Sequence, residues 1–383
     1  MSSKKHKTPT IRFKGFADTW EQRKLGEVGS VVMCKRIFKD QTTAFGDIPF
    51  YKIGTFGGSP DSFIPNELFE EYKKNYPYPE IGDILMSASG TIGRTVVYEG
   101  EKAYYQDSNI VWLKTDKSLI DNSFLKQFYQ VVKWSGLEGS TIKRLYNSNI
   151  LSTGINLPPL EEQTKLGTFF NQLDITIALH QRQLYNYKEL KKAMLQKIFN
   201  QELRFKDDDG NDYPDWREIT LEEICLYKSS NISLDSFKEY NGEEIYPLYD
   251  ANSLVLNIDK YDQENEYVSI IKDGAGVGRI RYCKGKSSVL GTMGYLLPTD
   301  TVDIKFLYFR LQIINFLSYV SGSTIPHIYF KDYKKENIRL PCEDEQKKIA
   351  DVLSALDIKI EISIRKIEAL KQQKKGLMQQ MFV

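Results

Sequence analysis

LPPLEEQTKLGTFFNQLDITIALHQRQLYNYKELKKAMLQKIF, residues Leu157–Phe199, and LPCEDEQKKIADVLSALDIKIEISIRKIEALKQQKKGLMQQMF, residues Leu340–Phe382, are one stretch written twice, at an offset of 183 and without a gap. Leu157, Pro158, Glu162, Gln163, Lys165, Leu173, Asp174, Ile175, Ile177, Arg182, Lys188, Lys191, Lys192, Gln196 and Phe199 recur unchanged. A repeat at a fixed period outranks any local pattern, because it decides the architecture.

Each copy opens on proline followed by acids, which suits a helix start. The proline lacks only a donor that a helix N-terminus leaves unpaired, and carboxylates there favour the dipole. Steps of four and three then pick out Leu166, Phe170, Leu173, Ile177, His180, Leu184, Tyr187, Lys191, Met194 and Ile198. The same register in the second copy gives Ile349, Leu353, Leu356, Ile360, Ser363, Ile367, Leu370, Lys374, Leu377 and Met381. Both rows are coiled-coil seams, broken by polar residues at equivalent places, His180 with Ser363 and Lys191 with Lys374. Two unrelated surface helices would share neither register nor breaks. At about 1.5 Å per residue the first helix carries the chain roughly 55–60 Å. A second block of sequence folds there and the second helix runs back, so the pair is expected to be antiparallel with one globular block at each end.

The length of 383 residues suggests two or three domains, and 41% hydrophobic content suffices for real cores. No secretory apolar stretch follows Met1 and no run of about 18 apolar residues occurs, which points to a soluble, untargeted, cytoplasmic protein. Cys34, Cys225, Cys283 and Cys342 are widely spaced, form no CxxC and have only His6, His180 and His327 for company. Reduced thiols are expected, and no zinc site. The net charge of +1 hides an uneven distribution: Lys206–Glu223 holds two bases against eight acids, net −6, which leaves +7 for the remainder. The turn formers and proline of its first part, KDDDGNDYPDW at Lys206–Trp216, predict a solvated linker after the first helix.

The expected division is 1–156, a first block with an N-terminal lead; 157–203, the first spacer helix; 204–339, the linker and a second block; and 340–383, the second spacer helix. The blocks share their edges. WEQRKLGEV at Trp20 parallels WREITLEEI at Trp216, and GSTIKRLYNSNILSTGINLP at Gly139 parallels GSTIPHIYFKDYKKENIRLP at Gly322. The offsets are 196 and 183, so the second block is 13 residues shorter between shared ends. One frame around two different interiors means one fold presenting two surfaces. Short apolar or alternating runs bounded by Gly and Pro predict strands at Asp83–Met86, Arg94–Tyr98, Asn109–Leu113, Tyr267–Ile271, Gly278–Tyr282 and Tyr295–Leu297. Helical periodicity marks Phe124–Val132 and Ile304–Tyr319. Each block is therefore expected to be α+β.

With LPPLEEQ and LPCEDEQ opening the helices, LDI inside each, and IRFKGFADTWEQRKLGEV and LRFKDDDGNDYPDWREITLEEI entering the blocks, nearly the whole chain resembles the specificity subunit of bacterial type I restriction–modification systems. The resemblance implies an α+β fold in which two similar target-recognition domains are separated by two long helices forming an antiparallel coiled coil. It implies a non-catalytic chain that binds double-stranded DNA at a bipartite, asymmetric target. It also implies two modification subunits as partners, which methylate adenine with S-adenosylmethionine, and an ATP-dependent restriction subunit. S-adenosylmethionine, ATP and Mg²⁺ would belong to those partners, with no cofactor in this chain. The family's recognition domains diverge too widely to supply a residue-level map of DNA contacts.

The residues themselves supply candidates. Lys35, Arg36 and Lys39 cluster in CKRIFK. Arg94 closes the glycine-rich SASGTIGR, and Arg279 closes DGAGVGR, with Arg281, Lys284 and Lys286 shortly after. Lys143 and Arg144 follow Gly139-Ser-Thr, while His327 and Lys331 follow the matching Gly322-Ser-Thr. Glycines let backbone N–H groups approach phosphate, and arginine also reads guanine edges. Ordinary hairpin turns with solvated bases are the competing reading. Apolar residues also recur off the seam, Phe169 with Val352, Ile175 with Ile358, Leu179 with Ile362, Leu195 with Met378 and Phe199 with Phe382. Packing on the blocks accounts for some, and docking of two copies of one partner accounts for the matching.

Catalytic signatures are mostly missing. CKGKSS lacks the earlier glycine of a phosphate-binding loop, and neither NPPY nor DPPY occurs. Asp61 with Glu71 and Lys73 fits a loose nuclease spacing in which two carboxylates hold Mg²⁺. Two other classes therefore stand beside the DNA-reading scaffold: a fused Mg²⁺-dependent nuclease using those three residues, and a coiled-coil adaptor without DNA specificity.

Overall fold

The computed structural model describes residues 8–134, 143–236, 238, 240 and 242–382. They form two compact units, Met1–His180 with Lys366–Val383, and Gln181–Arg365.

In the first block β1 (Glu21–Lys24), β2 (Gly29–Val32), β3 (Ile48–Tyr51), β4 (Phe63–Ile64), α1 (Asn66–Asn75), β5 (Ile84–Ser87), β6 (Thr95–Val97), β7 (Tyr104–Tyr105), β8 (Ile110–Thr115), α2 (Asn122–Val131), α3 (Asn147–Ser152) and β9 (Gly154–Leu157) lead into α4 (Leu160–Phe199). β1 pairs antiparallel with β9, Glu21 opposite Leu157, so the block opens and closes at one place. A four-stranded antiparallel sheet has the order β2-β8-β5-β6, and a smaller sheet the order β4-β3-β7 with β3 and β7 parallel. Along β5 and β8, Ile84, Met86, Val111 and Leu113 join the core with α2 and α4, while Leu85, Ile110 and Trp112 join a second core under the small sheet. Burial on both faces is why these strands read as apolar runs rather than as strict alternation.

The second block repeats the plan. It comprises β10 (Arg217–Thr220), α5 (Leu221–Ile224), β11 (Cys225–Ser229), β12 (Tyr246–Tyr249), β13 (Leu254–Ile258), β14 (Tyr267–Ile271), β15 (Ile280–Cys283), β16 (Ser288–Val289), β17 (Met293–Pro298), α6 (Ile304–Leu311), α7 (Phe330–Tyr333) and β18 (Asn337–Leu340), followed by α8 (Glu343–Met381). β10 pairs with β18, Arg217 opposite Leu340. The sheets are β11-β17-β14-β15 and β13-β12-β16, again with one parallel pair in the small sheet. The outward acids of β10 and α5 flank buried Trp216, Leu221 and Ile224. One expectation needs correction. The helix expected over Ile304–Tyr319 stops at Leu311, since Asn315 leaves helical geometry at ψ 78° before a separate 3₁₀ turn.

Every seam position of α4 and α8 is buried or half-buried. In the first unit Leu166, Phe170 and Leu173 share a core with Leu377, Met378 and Met381. In the second, Met194, Leu195 and Ile198 share one with Ile349 and Leu353. Early residues of one helix meet late residues of the other in both units, which makes the pair antiparallel. The lysine breaks are explained as well: Lys374 Nζ donates to Asp174 at 2.5 Å, and Lys191 Nζ donates to Asp357 at 2.6 Å.

The Glu-Gln pair shared by LPPLEEQ and LPCEDEQ locks each block to its helix. Glu162, 1% exposed, accepts two hydrogen bonds from Arg12 at 2.7 and 2.9 Å and one from Trp20 Nε1 at 3.2 Å. Glu345, fully buried, accepts the same set from Arg204 at 2.8 and 3.1 Å and from Trp216 at 2.8 Å. Each arginine is held above its ordinary pKa, chiefly by that hydrogen bond. Gln163 receives the Asp121 N–H and donates to the Leu119 and Pro158 carbonyls; Gln346 does the same with Asp303, Thr301 and Pro341. Buried polar side chains with every partner present fix one docking geometry.

Candidate nucleic-acid interface

One end of each four-stranded sheet lies against a helix of the pair. In the first unit Gly82, Ile84, Val97 and Glu99 border a groove of about 390 Å³ with Asn171, Asp174 and Ile175. The other end of the same strands carries the glycine-rich loop Ser87–Arg94, where the Ser87 N–H donates to the Arg94 carbonyl. In the second unit the Ile271 N–H donates to the Arg279 carbonyl across a loop one residue longer.

Three other segments converge on the loop end of the first block. Met33 to Arg36 leave β2 there, and Met33 Sδ accepts from the Ser108 N–H at 3.3 Å. Asp107 to Asn109 enter β8, with Ser89 Oγ donating to Asn109 Oδ1 at 2.7 Å. Arg144 forms a bridge with Ser89, and the Leu145 N–H donates to the Ala88 carbonyl. The Gly139-Ser140-Thr141 stretch lies outside the described residues. The fold thus brings Lys35, Arg36, Arg94, Lys143 and Arg144 to one edge. In the second block the matching bridge joins Asp273 to His327, and the Ile328 N–H donates to the Lys272 carbonyl. Arg144 and His327 therefore hold equivalent places in different chemistry.

The remaining candidates are spread further. Lys39 lies in a 3₁₀ turn beyond Phe38, and Arg36 stacks on that ring at 5.4 Å. Lys35 stands over Tyr76 at 4.9 Å, and Lys331 over the exposed Tyr329 at 5.1 Å. Arg281 stands over Tyr249 at 5.6 Å. Lys284 and Lys286 follow β15, so they lie at the opposite end of that strand from Arg279, roughly 17 Å away at 3.3–3.4 Å per residue. Lys284 borders the helix-side groove of the second unit with Tyr282, Tyr308, Asp357 and Ile358.

Arg94 and Arg279 are not free hairpin side chains. Arg94 Nη2 donates to the Gly57 carbonyl at 3.2 Å, and Arg279 Nη2 donates to Asn252 Oδ1 at 3.1 Å. Gly57 and Asn252 lie in the loops that follow β3 and β12. Neither loop carries a repeated motif, so only the Asp250-Ala-Asn252-Ser turn signature could have drawn attention to one of them.

The nuclease-like spacing does not assemble. Glu71 and Lys73 are two apart on α1, about 200° around a helix, whereas one catalytic face needs the two-residue period of a strand. Asp61 is held below its ordinary pKa by the hydrogen bond from Lys52, 2.8 Å away. No group of three metal-ligating side chains occurs among the described residues, and none of their helices is long and apolar enough to cross a membrane.

Off the seam the matched apolar pairs divide. Leu195, Phe199, Met378, Phe382 and Phe169 pack into the block cores. Ile175 and Ile358 remain 52% and 56% exposed, and Leu179 and Ile362 remain 62% and 61% exposed.

Comparison with known proteins agrees with this construction. The sequence profile described as "Type I restriction modification DNA specificity domain" matches residues 17–188 and 213–372, one match for each repeat. A putative type I restriction enzyme specificity subunit of Haemophilus influenzae is 57% identical over 150 residues, 39% of either chain. A putative type I specificity subunit of Methanocaldococcus jannaschii is 26% identical over 94% of this chain and 92% of its own. The crystal structure of an S subunit from M. genitalium superposes with a TM-score of 0.71 at 17% identity, covering 98% of this chain and 99% of that one. A family profile matched twice, over most of the chain and in register with the structural repeat, settles the assignment: this chain belongs to the type I restriction–modification DNA specificity family.

Proposed function

We propose that each block reads one half of a bipartite, asymmetric DNA target, leaving an unread gap between, and that α4 and α8 dock two modification subunits. The single observation that carries this reading is the repetition of one frame, down to the Glu162 and Glu345 sockets, around two loop ends of different chemistry. A scaffold without DNA specificity has no use for that contrast. The basic edge of Lys35, Arg36, Arg94, Lys143 and Arg144 supplies phosphate-binding charge and guanine-reading donors; Arg279, Arg281, His327 and Lys331 do so in the second block. Ile175 and Leu179, with Ile358 and Ile362, are exposed at equivalent positions, as two copies of one partner require.

The chain itself holds no cofactor in this reading. S-adenosylmethionine is the modification subunits' methyl donor, and Mg²⁺ and ATP serve an added restriction subunit. Adenine methylation mapped genome-wide in cells carrying the modification subunit, with and without this chain, is the test. A chain-dependent motif of two half-sites at constant separation is expected; no chain-dependent motif, or a contiguous one, refutes it.

A further inference from the structure

The guanidinium of Arg279 lies in a seat built from two loops. One wall is Gly276, left-handed at φ +83°, where a Cβ would meet Arg279 Nη2 at 2.5 Å and Nε at 2.8 Å. Any other residue there would make the guanidinium shift as well as strain the backbone. The second wall is Asn252, whose Oδ1 accepts from Arg279 Nη2 at 3.1 Å. Asn252 is held in turn: Asp250 Oδ1 accepts the N–H groups of both Asn252 and Ser253 at 2.7 Å, and the Asp250 N–H donates to the Ser253 carbonyl at 3.0 Å. Tyr249, the residue before that turn, carries Arg281 on its ring. Both Asn252 and Arg279 are exposed.

The first block has the arginine without the amide. Arg94 packs on Gly57, which lies in the loop after β3 and not in the arginine's own hairpin, and among the described residues its side chain donates to the Gly57 backbone carbonyl alone. The donor inventory at the two equivalent places therefore differs by one side-chain amide. Among the described residues Asn252 Oδ1 spends one lone pair on Arg279 and keeps the other, and both Nδ2 hydrogens remain to donate. A guanidinium matches guanine O6 and N7, and an asparagine amide matches adenine N6 and N7. Set side by side, they match two successive purines.

We propose that Asn252 and Arg279 form one reading unit of the second block, Asn252 orienting the guanidinium and itself contacting the next base pair. The first block reads one base pair at the matching place, through Arg94 alone. This rests on the reading of the blocks as DNA readers, and the experiment separates the two. The chain in complex with its modification subunit selects duplexes from a pool randomised in both half-sites. Wild type, Arg279→Ala, Asn252→Ala and Asn252→Asp are compared.

Arg279→Ala should relax one position of the second half-site. Asn252→Ala should relax that position and its neighbour, each by about tenfold, with the first half-site and the salt dependence unchanged because no charge is lost. Asn252→Asp keeps the oxygen that holds Arg279 but removes the amide donor, so selectivity should survive at the arginine's position and fall at the neighbour. The unit is overturned if Asn252→Ala leaves selection intact, relaxes a position not adjacent to that of Arg279, or weakens all duplexes equally. A wild-type complex that selects no second half-site would overturn the DNA-reading assignment of the block as well.

Discussion

Lys374 reaches across the helix pair of the first unit to Asp174 at 2.5 Å, joining residues 200 apart in sequence. Lys374 is 8% exposed and also donates to Gln130 Oε1 at 2.7 Å. Lys191 and Asp357 make the same contact in the second unit. An ammonium in a seam holds register only while its acceptors stay, so Asp174→Ala should cost about 1–3 kcal/mol of unfolding free energy through an unsatisfied buried donor. Replacing both partners together, Lys374→Met with Asp174→Leu, should recover most of it. Urea unfolding of Lys374→Met, Asp174→Leu and the pair, beside Asp174→Ala, measures the coupling.

Glu345 carries three hydrogen bonds in a fully buried position, so Glu345→Ala leaves Trp216 Nε1 without its acceptor and Arg204 with the Tyr213 and Pro214 carbonyls but no buried carboxylate. A loss of roughly 3–5 kcal/mol is expected for a broken buried pair, read as a lower melting temperature and faster amide exchange in β10 and β18. Glu345→Gln should be milder, because one side-chain oxygen still accepts.

Much of this framework was legible in the sequence because periodicity survives wherever one face is buried. The seam rows, both long helices and all six expected strands lie where the apolar pattern put them, within a residue or two. The matching of Lys191 with Lys374 was visible, but their acceptors were not: Asp174 and Asp357 pair with them only because the helices run antiparallel. Helix α1 was missed because only Phe69 of its ten residues is fully buried. The two-residue strands β4, β7 and β16 are too short to carry a pattern. At the candidate interface the basic residues were legible as a set, but not which of them share an edge. That depends on β2, β5 and β8 meeting at one end of the sheet, which places Lys35 at the same end as Arg94 and sends Lys284 to the other end of β15.

Arg94→Ala and Arg279→Ala should each weaken DNA binding by about 1–3 kcal/mol, and each should relax only its own half-site. Titration of cognate and singly substituted duplexes at several salt concentrations separates base reading from phosphate contact. Unchanged specificity with an unchanged salt slope would make both arginines ordinary hairpin residues.

Ile358→Glu with Ile362→Glu should leave folding intact, since both side chains are exposed, while removing one modification subunit from the complex. The matching pair Ile175→Glu with Leu179→Glu should remove the other. Mass measured by light scattering on the assembled complex reports the stoichiometry.

The central claim is that the blocks are interchangeable readers on a repeated frame. β1 with β9 and β10 with β18 close the blocks in the same register, and the Glu162 and Glu345 sockets accept the same Arg and Trp partners. A chain in which Trp216–Arg339 is replaced by a second copy of Trp20–Asn156 should therefore dock that copy as the native block docks. Because the helices run antiparallel, two identical readers select an inverted repeat. Adenine methylation mapped in cells carrying the duplicated chain and the modification subunit is the direct measurement. The predicted result is an inverted repeat of the first half-site at nearly the original separation; a soluble, partner-bound chain that methylates a direct repeat, or keeps the original asymmetric target, would contradict the account.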